Sequence, residues 1–278
     1  MPTDMIQGLQ ALLEEAATVW LDIFTWDFGR YLVGAGGIFL LVWVLWAPRL
    51  QSRKIRPRTP RRKQMWQEFR ASVMTACVFG FMGLVSHFGM KAGVLQGIYL
   101  DVNDYGWAYF ALSLMAAIFL HDTYFYWTHR LMHIRSVMRH AHYLHHRSHN
   151  PTPWAAYSFD VVEAAVQAAF VPLFLLVFPM HGLAMFLFLA HMIIRNGMGH
   201  SGYELFPRRW AVHPIFGWLS LVTHHDMHHE NGNYNFGLYF TFWDRVMGTE
   251  HPQYLARVTG IAGLQRGNLI GVGVKENA

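Results

Sequence analysis

Cysteine is all but absent: Cys77 is the only one in 278 residues, and it lies inside an apolar run. A disulfide framework, a zinc ribbon and a CxxC redox motif are thereby excluded. Charge is scarce as well. Asp, Glu, Lys and Arg make up 14% of the chain, against roughly a quarter in soluble domains, which argues against an ordinary soluble protein. The hydrophobic share of 53% argues equally against disorder. No haem-attachment CxxCH, HExxH or ExxH pair occurs. Zinc-protease motifs and ferritin-like carboxylate sites are therefore disfavoured. Residues 1–30 do not read as a cleavable signal: Asp4, Glu14, Glu15, Asp22 and Asp27 face a single Arg30, whereas a signal peptide starts basic and continues apolar.

What the chain does have is long apolar runs. Residues 31–47 carry no charge and are just long enough for a first membrane span. Residues 1–30 before them read as an amphipathic helix on the membrane surface or a loose acidic lead-in. Residues 49–63 hold eight Lys or Arg and no acid. Prolines deny this run a regular helix, and its place beside a span fits a cytoplasmic loop better than a nucleic-acid tail, despite the net charge of +5. Residues 71–90 read as a second span and 105–120 as a third. Residues 164–194 lack Asp, Glu, Lys and Arg, and as one helix would measure about 46 Å, too long for a hydrocarbon core of about 30 Å. Pro179 and Gly182 supply a break, so a hairpin of two short spans is expected. About five apolar helices result. The partition expected is 1–70 for the N-terminal segment, first span and basic loop, 71–250 for a membrane-embedded catalytic domain, and 251–278 for a polar tail. The fold class is all-α: an integral membrane helical bundle with a cytosolic-side helical cap.

Histidine is the abundant exception, with 18 in the chain, 16 of them between His121 and His229. His129 and His133 stand at i and i+4, which places both rings on one helical face. His142, His145 and His146 stand at i, i+3 and i+4, and His225, His228 and His229 repeat that HxxHH spacing. Adjacent His145 and His146 point about 100° apart on a helix and could serve two neighbouring ions. A single HxxxH is weak evidence, and a disordered chelating tract would cluster histidines too. Such a tract would be irregular, whereas here the spacing is helical and aromatic and apolar residues fill the gaps. Eight or nine histidines exceed the four ligands of a tetrahedral zinc site, so two ions are expected. Imidazole suits iron, copper, zinc and nickel alike. Breaking a lipid C–H bond needs a redox-active metal and O2, which zinc does not provide.

The segments HRLMH, HYLHH and HDMHH resemble the three boxes of the fatty acid hydroxylase/sterol desaturase superfamily of integral membrane di-iron enzymes. DTYFYWTHRLMH, GHSGYE and NYNFG followed by FWDRVMGT resemble that family's flanking segments, over roughly residues 105–250. The resemblance implies an O2-dependent lipid hydroxylase or desaturase that removes hydrogen from a sterol, fatty acyl or related lipid with two iron ions. It implies His129, His133, His142, His145, His146, His225, His228 and His229 as metal ligands and His200 as a ninth, while His121, His140, His149 and His224 match no ligand position. Asp122 and Asp226 sit beside ligands and would accept the second ring N–H of a coordinated histidine; Asp226 capping its helix is the alternative. Asp160 and Glu163 either orient a ligand or mark the membrane boundary.

With no haem-attachment motif of its own, the chain is expected to take electrons from an external donor, of ferredoxin or cytochrome b5 type, and a basic face suits an acidic one. Partners expected are the lipid substrate and the membrane, with no nucleic acid. A bacterial inner membrane, histidines on the cytoplasmic side, fits the basic loop. Two rival readings are a zinc-dependent membrane hydrolase and a non-catalytic membrane metal-binding protein. The first predicts activity without O2, and the second an ionisable path through the spans.

Overall fold

Four helices among the described residues are long and apolar enough to cross a bilayer. They belong to a computed structural model that describes residues 3–266. The first, α1 (Thr3–Leu45), runs 43 residues without a stop. This corrects the expected boundary at residue 31 between a surface segment and the first span. Its length, about 64 Å, is twice a hydrocarbon core. Its continuity has a packing cause. Trp20, Phe24, Phe28 and Tyr31 stack along one face with ring centroids 5.3, 5.7 and 6.2 Å apart. That face lies on α2 (Arg62–Lys91), where Trp20 Nε1 donates to the Cys77 carbonyl at 3.2 Å. Close approach needs Gly83, because a Cβ there would stand 2.4 Å from Ile23 Cδ1. Trp43, near the end of α1, donates to the Ser201 carbonyl at 2.9 Å. Near the start of α1, Glu15 accepts from Lys91 at the end of α2 at 2.6 Å, whereas Phe28, further along α1, meets Phe69 near the start of α2 with ring centroids 6.2 Å apart. The two helices are therefore antiparallel.

Helix α3 (Gly106–Met132) returns toward the end where α1 finishes. Two short helices, α4 (Arg135–Ala141) and α5 (Tyr143–His146), follow it. The apolar stretch expected to form a hairpin does break where Pro179 and Gly182 stand. Its first arm, α6 (Val161–Leu175), is too short to cross alone; its second, α7 (Gly182–Gly199), is long enough. At the break, β2 (Met180–His181) pairs in parallel with β1 (Ile98–Tyr99). His181 Nδ1 there accepts from Leu183 N at 3.0 Å, capping α7. Large apolar side chains such as Val33, Phe81, Leu112 and Phe119 are exposed on the long helices. In a helical protein such a belt is a lipid-facing surface, and the molecule is a multi-pass membrane protein.

One end of the bundle carries a cap. The basic loop is woven into it rather than hanging free. Lys54 bridges Tyr203, Ile55 N donates to the Gly202 carbonyl at 3.0 Å, and Asn150 Nδ2 donates to the Arg58 carbonyl at 2.7 Å. Helix α8 (Val222–Glu230) lies at the centre, followed by the short α9 (Phe242–Val246). The segment expected to be a tail contributes α10 (Tyr254–Thr259), because Tyr254, Leu255 and Val258 have an apolar face to bury against Ala211, Leu221 and Met227. Residues 267–278 of that segment lie outside the described residues.

Candidate metal centre

Helix α8 reads VTHHDMHHE, yet every residue from Val222 to His229 is buried. A helix that is polar all round and has no water must find partners for each side chain. Thr223 N and Oγ1 both donate to Glu204 Oε2, at 2.9 and 2.7 Å. His224 Nδ1 lies 3.0 Å from Ser220 Oγ. Arg56 Nε donates to the Asp226 carboxylate at 2.9 and 3.0 Å, and Arg56 Nη2 donates to the Asp226 carbonyl at 2.7 Å. His225, His228 and His229 remain, and their Nε2 atoms face other imidazoles.

Nine imidazoles converge here, the nine expected from the sequence. His129, His133, His142, His146 and His228 form one group, and His145, His200, His225 and His229 a second, each with ring nitrogens within 4.8 Å of one another. His145 and His146, neighbours in sequence, go to different groups, and the His146 and His229 rings are 5.0 Å apart across the boundary. The boxes achieve this by different local means. His133 ends α3, with its N–H donating to the His129 carbonyl at 3.1 Å. The second box is not one continuous helical face: at His142 the backbone turns to φ −149° between α4 and α5. His200 caps the end of α7. Gly232 lets the following loop close over the first group, since a Cβ there would lie 2.6 Å from His133 Cε1.

The proton positions follow from the outer contacts. The Nδ1 atoms of His129, His145, His200 and His228 lie 2.9, 3.2, 2.8 and 2.7 Å from the carbonyl oxygens of Phe236, Ser158, Asn196 and Tyr234. A carbonyl only accepts, so each Nδ1 carries the proton and each Nε2 presents a lone pair. Burial and neighbouring imidazoles push His142, His145, His225, His228 and His229 well below the ordinary range and His146 to about 3, and burial alone takes His200 to about 4. The rings are therefore neutral. His145 Nε2 and His200 Nε2 nevertheless stand 3.3 Å apart with no proton to share. His129 Nε2 and His142 Nε2 stand 3.0 Å apart, with Glu163 Oε2 2.8 Å from His142 Nδ1. Facing lone pairs repel, and a cation among them removes the repulsion. Two nitrogens each about 2.1 Å from one ion lie about 3.0 Å apart at a right angle and about 3.4 Å apart at the tetrahedral angle. The donor set thus fits a pair of transition-metal ions.

The carboxylates differ from expectation. Asp122 accepts from Tyr239 N at 2.7 Å and Phe240 N at 3.2 Å, holding the loop after α8. Asp226 is committed to Arg56, in mid-helix. Neither orients a ligand, because each points at a stronger or nearer donor than an imidazole. Glu163, for which orienting a ligand was one of two expected roles, lies beside His142, and Asp160 accepts from Leu144 N at 2.8 Å. Arg56 and Glu204 have no sequence signal beyond membership of a basic run and of GHSGYE. His140 and His149 are exposed, and His121 and His224 are buried outside the two groups. The His191 ring lies 4.5 Å from the Tyr239 ring.

Beneath the histidines a cavity of about 460 Å³ runs through the bundle, within the range of small-molecule sites. Phe125, Phe159 and Asn196 line its upper end. The Phe125 ring is 4.9 Å from His129, the Phe159 ring 5.4 Å from His145, and Asn196 holds His200. Met90 and Ile98 line the opposite end.

A family model described as Fatty acid hydroxylase matches residues 114–249. The chain is 31% identical over 172 residues to the lathosterol oxidase of Rattus norvegicus, covering 60% of this chain and 56% of that protein. It is 30% identical over 189 residues to the Delta(7)-sterol 5(6)-desaturase ERG3B of Gibberella zeae, covering 68% and 56%. With the cholesterol 25-hydroxylase of Mus musculus it shares 30% over 208 residues, 73% of this chain and 67% of that protein. The chain spans little more than half the length of the first two. No solved structure matches it. The family match and a relative 30% identical and covered to two thirds of its length show that the chain belongs to the fatty acid hydroxylase/sterol desaturase superfamily.

Proposed function

We propose that the protein is an O2-dependent di-iron lipid oxidase, a hydroxylase or desaturase, that acts on a C–H bond of a sterol or another apolar lipid. The observation that carries this reading is the placement of nine neutral imidazoles, in groups of five and four, over the end of an apolar cavity. The Nε2 atoms of those groups would hold the metal ions. When bound, an iron pair with O2 supplies the removal of a hydrogen atom from an unactivated C–H bond, which acid–base chemistry does not reach. The chain's own work is positioning. The carbonyls of Phe236, Ser158, Asn196 and Tyr234 fix four ring orientations by accepting Nδ1 protons, and Glu163 makes His142 a more basic donor. Phe125, Phe159 and Leu238 keep the cavity end dry and steer an alkyl segment toward the histidines. Relatives named as desaturases and as a hydroxylase support either outcome.

The two electrons come from outside, from a ferredoxin or cytochrome b5-type donor. Exposed Arg135, Arg139 and Arg147 beside the second box suit an acidic donor surface. The basic loop shares the cap with the histidines, which supports a cytoplasmic orientation, as in a bacterial inner membrane. The test is metal analysis of the purified protein joined to lipid profiling of cells with and without it, in air and under nitrogen. Two irons per chain and an O2-dependent lipid product, both lost in His145→Ala, are expected. Stoichiometric zinc with O2-independent hydrolysis, or an unchanged lipid profile, would overturn the reading.

A further inference from the structure

The cavity wall is mostly phenylalanine and aliphatic side chains, but one sector is not. Asp27 and Arg30 line it from α1, Tyr157 from the turn after the second box, and Gln167 from α6. Asp27 and Arg30 are paired with each other, one turn apart, and Asp27 is 7% exposed. They lie roughly midway along the stretch of α1 between Glu15 and Trp43, about 20 Å from either, with Asp27 buried in the interior of the bundle. An ion pair in that interior is costly, and apolar residues would fill the same space more stably.

Apart from Asp22, which is exposed, the cavity's other polar side chains have partners. His121 Nδ1 meets the Tyr239 hydroxyl at 2.9 Å, Asn196 donates to the Ala156 carbonyl at 2.5 Å, and Ser86 donates to the Met82 carbonyl at 3.4 Å. Three groups have none: Arg30 Nε, the Tyr157 hydroxyl and Gln167 Nε2 are buried without a hydrogen-bond partner. All three can donate, and each unmet group costs about 1–3 kcal/mol.

We propose that this sector is a recognition site for a neutral oxygen, a hydroxyl or carbonyl, on an otherwise apolar lipid, with Arg30, Tyr157 and Gln167 as donors. Three donors ask for an acceptor. Asp27 cancels the charge of Arg30, so a carboxylate would arrive with its own charge uncompensated, whereas an alcohol or ketone oxygen meets the donors at no such cost. The surrounding Phe79, Phe125, Phe170 and Phe188 fit an alkyl chain or ring system. The proposal names the substrate class for the lipid oxidase reading and rests on it.

The test is equilibrium binding to the purified full-length protein under nitrogen, with labelled hexadecan-1-ol or cholesterol. Hexadecane, hexadecanoate and cholestane are the competitors. In at least one pair the oxygenated lipid is expected to bind at least tenfold more tightly than its deoxygenated partner, and hexadecanoate no better than hexadecan-1-ol. Tyr157→Phe with Gln167→Leu should reduce that preference below threefold, leave metal content and hexadecane affinity unchanged, and leave the melting temperature the same or higher. If that double variant melts early, Asp27→Asn with Arg30→Gln carries the same comparison. Equal binding of both members of each pair, stronger binding of hexadecanoate, or a preference that survives the variants would overturn the site. Binding needs neither O2 nor turnover. An oxygen preference without lipid oxidation defeats only the oxidase reading, and oxidation without the preference defeats only this one.

Discussion

Helix α8 and the middle of α1 both bury charged or polar side chains, but they meet the cost in different ways. On α1, Asp27 and Arg30 answer each other one turn apart, and the rest of the helix is held by aromatic packing on α2. On α8, most polar side chains are answered from a distant element: Thr223 by Glu204, Asp226 by Arg56, and His225, His228 and His229 by rings from three other segments. A helix with local partners forms by itself once in the bilayer. A helix like α8 has no reason to form until the cap is assembled, so its stability is the stability of the whole site.

That contrast is broken or sharpened by four measurements, taken from the largest expected effect to the smallest. His145→Ala should empty the four-histidine group and cut activity by at least about 100-fold, with α1 as protected from hydrogen exchange as in the parent. If α1 loosens as well, the two regions are not separate. Asp226→Ala leaves Arg56 with its buried partner gone and should destabilise the cap by about 3 kcal/mol, read as a lower melting temperature with α8 exchanging first; an unchanged melting curve would remove Arg56 from the account. Glu163→Gln should lower metal affinity at the five-histidine group by about 10- to 100-fold and spare the other group, which stepwise metal titration resolves. Equal loss from both groups would contradict the assignment of Glu163 to His142.

The smallest effect is that of pH. In the folded chain His133, His146 and His200 are pushed down by burial to about 2, 3 and 4, against about 6.5 in an unfolded chain. The unfolded chain therefore binds more protons below pH 6.5. The stability these rings contribute is complete above that value and is lost progressively as pH falls toward their folded values. Metal-free protein should melt earlier at pH 5 than at pH 7.5, with α8 leading and α1 following later; a flat profile would show that these rings are already charged in the fold.

Much of the architecture was legible because it follows from local rules. Charge-free runs marked the spans, and Pro179 with Gly182 marked the break before α7. The HxxxH and HxxHH spacings marked eight imidazoles, and the resemblance of GHSGYE a ninth, that the fold does bring together. The length of α1 was not legible, because its acidic first half looks like a surface segment until Trp20, Phe24 and Phe28 are seen to have α2 to pack on. The role of Asp226 was misjudged for a related reason. Its neighbours in sequence are histidines, but its partner Arg56 lies 170 residues away in a run of similar residues.

Composition and periodicity by themselves determined that this is a helical membrane protein with a histidine-rich site, because the hydrophobic effect and the 3.6-residue turn act on each segment alone. Which ring joins which group, which carboxylate serves a histidine and which serves an arginine, and where the cavity places its unmet donors were decided only by the tertiary structure. Those outcomes depend on desolvated polar groups finding partners across long stretches of chain, and no local spacing encodes such a meeting.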